Sequence, residues 1–393
     1  MKQRVNTIDA LRGFSLLGIL IANMLIFQYG MFGKDKPEHF QLSSFDTVSY
    51  VWTKIFVEGS FLPIFIFLFG YSMMKLKEKL EKNNMKVKRH FVRRFILFLT
   101  LGLLHSIFIW EGDILLMYGC IGLFMLMFIN RKRKTLLVWA IALLFLNSFM
   151  GFGSYEETDK EIEKMESYIE KETVAYSSES YADALGFRYS DETPFDFPDY
   201  FYIVFLFITP LIISPLLLFG MYGAKSNWFT DPRKEKRLYI RGAIIFGIVG
   251  LLLKSSHYIM NDLSWTTGAY SVGAILLAIG YIFGFAILYT KVNRKVMSYI
   301  EKVGRLSLTN YLVQSIICTS LFYGYGMGLF GRLGVFQGIL LAFFIFAMQI
   351  LFSHYYLKFF KIGPFEKVMR IFTYLSWNGQ PKRRKKKVVE EVA

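Results

Sequence analysis

Long apolar runs recur through this chain at 12–32, 50–75, 94–110, 114–130, 135–152, 200–223, 240–259, 269–290, 306–324 and 335–357. No other feature limits the fold as much. About 20 apolar residues make a helix of about 30 Å, the thickness of a bilayer's hydrocarbon core. Inside that core only helices and closed barrels satisfy their own backbone polar groups. The pattern therefore predicts an all-α, polytopic integral membrane bundle of about ten transmembrane helices. With 54% hydrophobic and 18% aromatic residues and a mean hydropathy of +0.38, the chain is too apolar for an ordinary soluble protein of 393 residues. The first run, starting at Leu11, is too long for the core of a cleavable signal, and no small-residue cleavage site follows it.

The charges orient the runs. Lys2 and Arg4 precede the first, nine basic residues from Lys75 to Arg94 lie between the second and third, and Arg131–Lys134 follow the fourth. Further basic loops run from Lys225 to Arg241 and from Lys291 to Arg305. Every second loop is basic, which puts those loops and both termini in the cytoplasm and requires an even number of spans. The net charge of +16 thus reports topology, and no nucleic-acid partner is expected. Segment 153–199 is acidic and belongs on the opposite side. It reads as a solvated helix plus loop, or as a lid over an external opening. The expected organisation is one transmembrane domain, 1–376, carrying the 153–199 extracytoplasmic insertion, followed by a disordered basic cytoplasmic tail, 377–393. The run Lys382–Lys387 in that tail suits anionic lipid. The other expected partners are the bilayer and a second copy of the chain in a homo-oligomer. Cys120 and Cys318 lie in apolar runs and read as small buried hydrophobes. No HExxH, CxxC, P-loop or dinucleotide-binding pattern occurs, so no metal is expected.

Ionisable residues inside spanning helices are costly and mark candidate sites. His105 sits within the third run, and Glu111-Gly112-Asp113 fill the tight turn that follows. On the first run Asp9 and Arg12 share a face, and Asn23, almost three turns beyond Arg12, continues it. Asn6 is placed to cap that helix. Glu58-Gly59-Ser60 followed by Pro63 interrupts the second run, predicting a discontinuous helix near Gly59 with Ser60 as cap. Glu58 would then lie at the depth of His105, and a Glu58–His105 contact is expected. Arg305 opens the ninth run, where Asn310 and Gln314 share a face. Each of these polar groups also has a plain structural reading as interhelical glue.

Five ordered blocks carry a family resemblance: RVNTIDALRGFSLLGILIANM, EGSFLPIFIFLFGYSM, RRFILFLTLGLLHSIFIWEGDILLMYG, VGRLSLTNYLVQS and GPFEKVMR. They resemble the YeiB-like bacterial membrane family, labelled domain of unknown function 418. The opening Asp9-Ala10-Leu11-Arg12-Gly13 is more distantly similar to acyltransferase family 3 and to heparan-α-glucosaminide N-acetyltransferases. Those enzymes move an acyl group from cytoplasmic acyl-CoA to an acceptor across the membrane. In the first group a histidine follows the arginine by eleven positions; here that position is Asn23, as in the glucosaminide branch. The resemblance implies acyl-CoA as donor in a bacterial plasma membrane. On that reading His105 is base or nucleophile and Glu58 or Asp113 its orienter. Asp9, Arg12, Asn23, Arg305, Asn310 and Gln314 surround donor phosphate or acyl carbonyl. The alternatives are a transporter using Arg12, Asn23, Glu58 and His105, or a non-catalytic membrane partner. A passage from the cytoplasmic face that reaches His105 favours the enzyme, whereas a solid bundle favours the non-catalytic partner.

Overall fold

A computed structural model describes residues 5–150, 158–190, 192–195, 198–260 and 263–381, and among them there are helices and no strands. The α-helices are α1 (Asn6–Tyr29), α2 (Ser44–Phe56), α3 (Phe61–Lys82), α4 (Val87–Phe108) and α5 (Leu115–Phe124). Then come α6 (Arg133–Met150), α7 (Asp159–Ser177), α8 (Tyr181–Arg188), α9 (Asp199–Lys225) and α10 (Lys236–Ile259). The last five are α11 (Trp265–Lys291), α12 (Arg294–Arg305), α13 (Ser307–Phe322), α14 (Val335–Phe359) and α15 (Pro364–Tyr374). The expected tail segment 382–393 and the start of the acidic insertion lie outside the described residues.

Among the described residues, seven segments are long and apolar enough to cross a membrane: α1, α2–α3 taken together, α4, the second part of α9, α10, α11 and α14. The other three expected runs fold as α5, α6 and α13. Helix α5 has 10 residues and α13 has 16, about 15 and 24 Å of helix, so neither matches a full crossing alone.

Helix α1 is the axis of the bundle and packs on α2, α3, α11, α12, α13 and α14. Its crossing with α12 brings backbones into contact: a Cβ on Gly304 would lie 1.8 Å from the Asp9 carbonyl, and one on Gly13 would lie 2.2 Å from that of Ile300. Small residues of this kind let helices approach where no hydrophobic effect drives them together. Asn6 is the first helical residue and not the cap; Val5 holds that position without a side-chain bond.

The second run is broken as expected, between Phe56 and Phe61, with Gly59 at φ +68°. A helix end at membrane depth leaves carbonyls that must find donors. Here α10 and α11 supply them. Tyr270 Oη donates to the Lys54 carbonyl at 2.8 Å, Tyr281 Oη to that of Phe56 at 2.9 Å, and Lys254 Nζ to that of Glu58 at 2.5 Å. Ser60 stands at the cap position of α3 but makes no capping bond. Its hydroxyl instead lies 3.2 Å from Lys254 Nζ.

Candidate functional site

Six residues, 109–114, join α4 to α5. The His105 carbonyl accepts from both Ile109 and Trp110 N–H at 2.9 Å, closing α4, and the chain re-enters a helix at Leu115. Asp113 opens that helix: its Oδ2 accepts from the Leu116 N–H at 2.7 Å, a side-chain cap that fixes the carboxylate. The other oxygen, Oδ1, lies 3.0 Å from His105 Nδ1, and the two side chains are 2% and 1% exposed. Tyr311 of α13 lies against the pair. Its hydroxyl accepts from the Ile114 N–H at 3.1 Å and stands 3.5 Å from Asp113 Oδ1. Neither His105 Nδ1 nor Nε2 makes a well-aligned hydrogen bond among the described residues, so the Asp113 contact is a close ion-pair approach. A carboxylate this close to Nδ1 can orient the imidazole ring, the arrangement a general base uses.

A cavity of about 320 Å³ runs from the basic end of the bundle towards this pair. Arg12, Lys79, Arg94, Arg305, Lys361 and Arg370 line it at that end. Deeper in, Phe65, Phe69, Phe98 and Leu115 form its walls, and Ile114, Tyr118 and Tyr311 close it. His105 is not on the wall; Tyr311, which is, stands between the cavity and Asp113. Tyr118 Oη is buried on the wall without a hydrogen-bond partner among the described residues. Its ring is clamped by Phe69 at 4.7 Å in a near-parallel stack. Arg12 is oriented by Asp9 at 3.1 Å and by Ser72 at 2.7 Å. Helix α15 forms the remaining wall, with Glu366 turned to the start of α13, where it accepts from Leu308 and Thr309 N–H and from the Thr309 hydroxyl.

The candidates thus separate into four places. His105, Asp113, Asp9, Arg12 and Arg305 belong to the cavity or its inner end. Asn310 and Gln314 do not line it. Asn310 donates to the Val303 carbonyl and to Ser353, and Gln314 donates to Gln349 at 2.8 Å, so the two tie α13 to α14. Asn23 is half-buried and off the cavity wall. The expected Glu58–His105 contact does not form. Glu58 sits 2.6 Å from Lys54 and 2.9 Å from Lys34, in a separate cluster with Asp35 at the helix break. Burial alone would raise the Asp35 carboxyl, but Lys54 and Lys34 hold it below its ordinary value. Equal depth did not bring Glu58 to His105 because Lys54 and Lys34 hold its carboxylate at the helix break. Tyr118, Tyr311 and Lys254 were not singled out from the sequence. Tyr311 lies beside Asn310 in a block that was, but one aromatic among many carries no local signal.

Residues 223–376 match the family described as "Protein of unknown function (DUF418)". Over nearly its whole length the chain is similar to bacterial proteins. It is 33% identical to the uncharacterized protein YxaH of Bacillus subtilis (strain 168), covering 98% of each chain. It is 29% identical to an uncharacterized 39.9 kDa protein in the amylase 3' region of Bacillus acidopullulyticus, covering 95% of each. It is 27% identical to the uncharacterized protein YeiB of Escherichia coli (strain K12), covering 94% of this chain and 96% of that one. None of these names assigns an activity. No solved structure matches.

Proposed function

The chain belongs to the YeiB-like family of unknown function (DUF418), and from the buried His105–Asp113 pair we propose that it is a membrane acyltransferase. The proposed setting is the bacterial plasma membrane, with the basic end and both termini in the cytoplasm. The donor is an acyl thioester of coenzyme A, and the acceptor is a hydroxyl or amine reaching His105 from the other side. The observation that carries this reading is the cavity: cationic at its mouth, apolar along its walls, and ending one residue short of His105–Asp113. A phosphate-bearing carrier with a thin thioester arm has that polarity.

The chemistry follows from the positions. Arg12, Arg94 and Arg305 hold the donor's phosphates, and Asp9 keeps Arg12 turned towards the mouth. His105 Nε2 takes the proton from the acceptor as its oxygen or nitrogen attacks the thioester carbonyl. The tetrahedral oxyanion receives the hydrogen bond of Tyr118, whose hydroxyl has no hydrogen-bond partner among the described residues. Collapse breaks the carbon–sulfur bond, and the imidazolium returns its proton to the departing thiolate. Asp113 orients the ring and stabilises the imidazolium.

The test is acyl-CoA binding and turnover by purified protein in nanodiscs, wild type beside His105→Ala. The expected result is turnover by wild type, with retained binding and turnover lowered at least ~100-fold in the variant. If wild type neither binds nor consumes acyl-CoAs of short, medium and long chain, the reading is wrong.

A further inference from the structure

The α7–α8 insertion is seated on the end of the bundle opposite the basic cavity, over the turn that carries Asp113. Arg188 Nε lies 3.1 Å from Glu111 Oε2, and its side chain is 4% exposed. Tyr176 Oη donates to Glu111 Oε1 at 2.8 Å, and the Tyr176 ring stacks on Tyr323 at 4.4 Å. Tyr181 Oη donates to the Phe108 carbonyl at 2.7 Å, and Arg188 reaches that of Ile107 at 3.4 Å. On the α1 side the Met31 N–H donates to Glu172 at 3.2 Å. Glu172 is 1% exposed, and its second oxygen has no hydrogen-bond partner among the described residues. Gly30, at φ +83°, makes room for it, since a Cβ there would lie 2.1 Å from that oxygen.

Two features of this seat are unlike a permanent helix interface. Aromatic rings pack at its rim, but its side-chain hydrogen bonds to the bundle, apart from the Met31–Glu172 bond, converge on Glu111 and the carbonyls of one turn, residues 107–111, six or fewer positions from both His105 and Asp113. And it buries a carboxyl with half its hydrogen-bonding capacity unused, at a cost of about 1–3 kcal/mol. An interface optimised only for stability has no reason to keep such a group.

We propose that the α7–α8 insertion is a lid over the outer route to His105, latched by Arg188 on Glu111. In the closed form described here His105 is sealed from the outer side. Release of Arg188 uncovers the 107–113 turn and gives an acceptor its path to Nε2. Arg188 is therefore a positioning residue for the lid and takes no part in chemistry. The lid's existence does not rest on the acyltransferase reading; only the identity of what it admits does.

The latch also responds to pH. Glu172 faces Glu111 from the α4–α5 turn, Arg188 from α8, the phenols of Tyr168 and Tyr176 on α7, and Tyr323 beyond α13. Burial first, and Glu111 second, push its carboxyl up to about 8, against the Met31 N–H. A group raised in the seated form favours seating fully below its ordinary value of 4.5, and that advantage is lost as pH rises through about 8. Above that pH a second carboxylate faces Glu111 and the lid opens more often.

Hydrogen–deuterium exchange of full-length protein in nanodiscs, without donor or acceptor, tests this. Arg188→Ala should raise exchange about tenfold in peptides spanning 105–116 and 165–188 and leave the α10–α11 hairpin unchanged. Arg188→Lys should fall between, and Tyr181→Phe, at the exposed rim, should loosen the same peptides less. Wild type, corrected for intrinsic rates, should exchange faster there at pH 8.5 than at pH 6.5. Unchanged protection in every variant would overturn the proposal, because the contacts would not be a latch. Uniformly raised exchange across the bundle would overturn it too, because Arg188 would then hold the fold. Neither outcome bears on acyl-CoA turnover, so the two readings fail separately.

Discussion

Asp113 holds three positions at once: the start of α5, the Nδ1 side of His105, and the partition between His105 and the cavity. Asp113→Asn keeps the shape and removes the charge that stabilises imidazolium. Turnover should fall about 100-fold with donor affinity unchanged, as single-turnover rates and equilibrium binding would show. Tyr118→Phe should also lower turnover and not binding, by about tenfold, because it removes a single transition-state donor. His105 stood out in the sequence as an ionisable group inside an apolar run, and Asp113 as a carboxylate in the turn that follows it. Tyr118 was not, since its value lies in an unsatisfied hydroxyl, and satisfaction is a property of neighbours. Glu58 was chosen by depth along the membrane normal. Azimuth around the bundle decides contact, and no spacing within one helix reports it.

At the scale of elements, the break between α2 and α3 was legible from Glu58-Gly59-Ser60 and Pro63, but its repair was not. The donors come from residues 196 to 225 positions away, on α10 and α11. Lys254→Met should uncover the Glu58 carbonyl and lower thermal stability in detergent, by roughly 1–3 kcal/mol. Gly59→Ala forces a side chain into the left-handed region, a further ~1–2 kcal/mol. Both are read as a fall in melting temperature without loss of donor binding by the protein that remains folded. The Asn310–Gln314 face was likewise visible as a polar stripe, while its partners Ser353 and Gln349 on α14 were not. Gln314→Leu should cost stability and spare the cavity.

At the scale of the molecule, the alternation of basic loops was read as topology, and the same cations gather at the cavity mouth. Partly exposed charges act through a Debye length of about 8 Å at physiological ionic strength, so donor affinity should fall as salt rises from 50 to 500 mM. Titration of acyl-CoA across that range checks it; affinity indifferent to salt would separate the mouth from the phosphates. The helical class followed from the apolar runs. Their equality as spans did not, because α5 and α13 shorten where tight turns and α12 take up the remaining chain.

The closed inner end of the cavity has an electrical consequence. A living membrane carries about 2.3 kcal/mol per charge per 100 mV, and a water-filled bore through this bundle would discharge it. Ile114, Tyr118 and Tyr311 act as the dielectric of a capacitor, with a cationic plate on one side and an acidic insertion on the other.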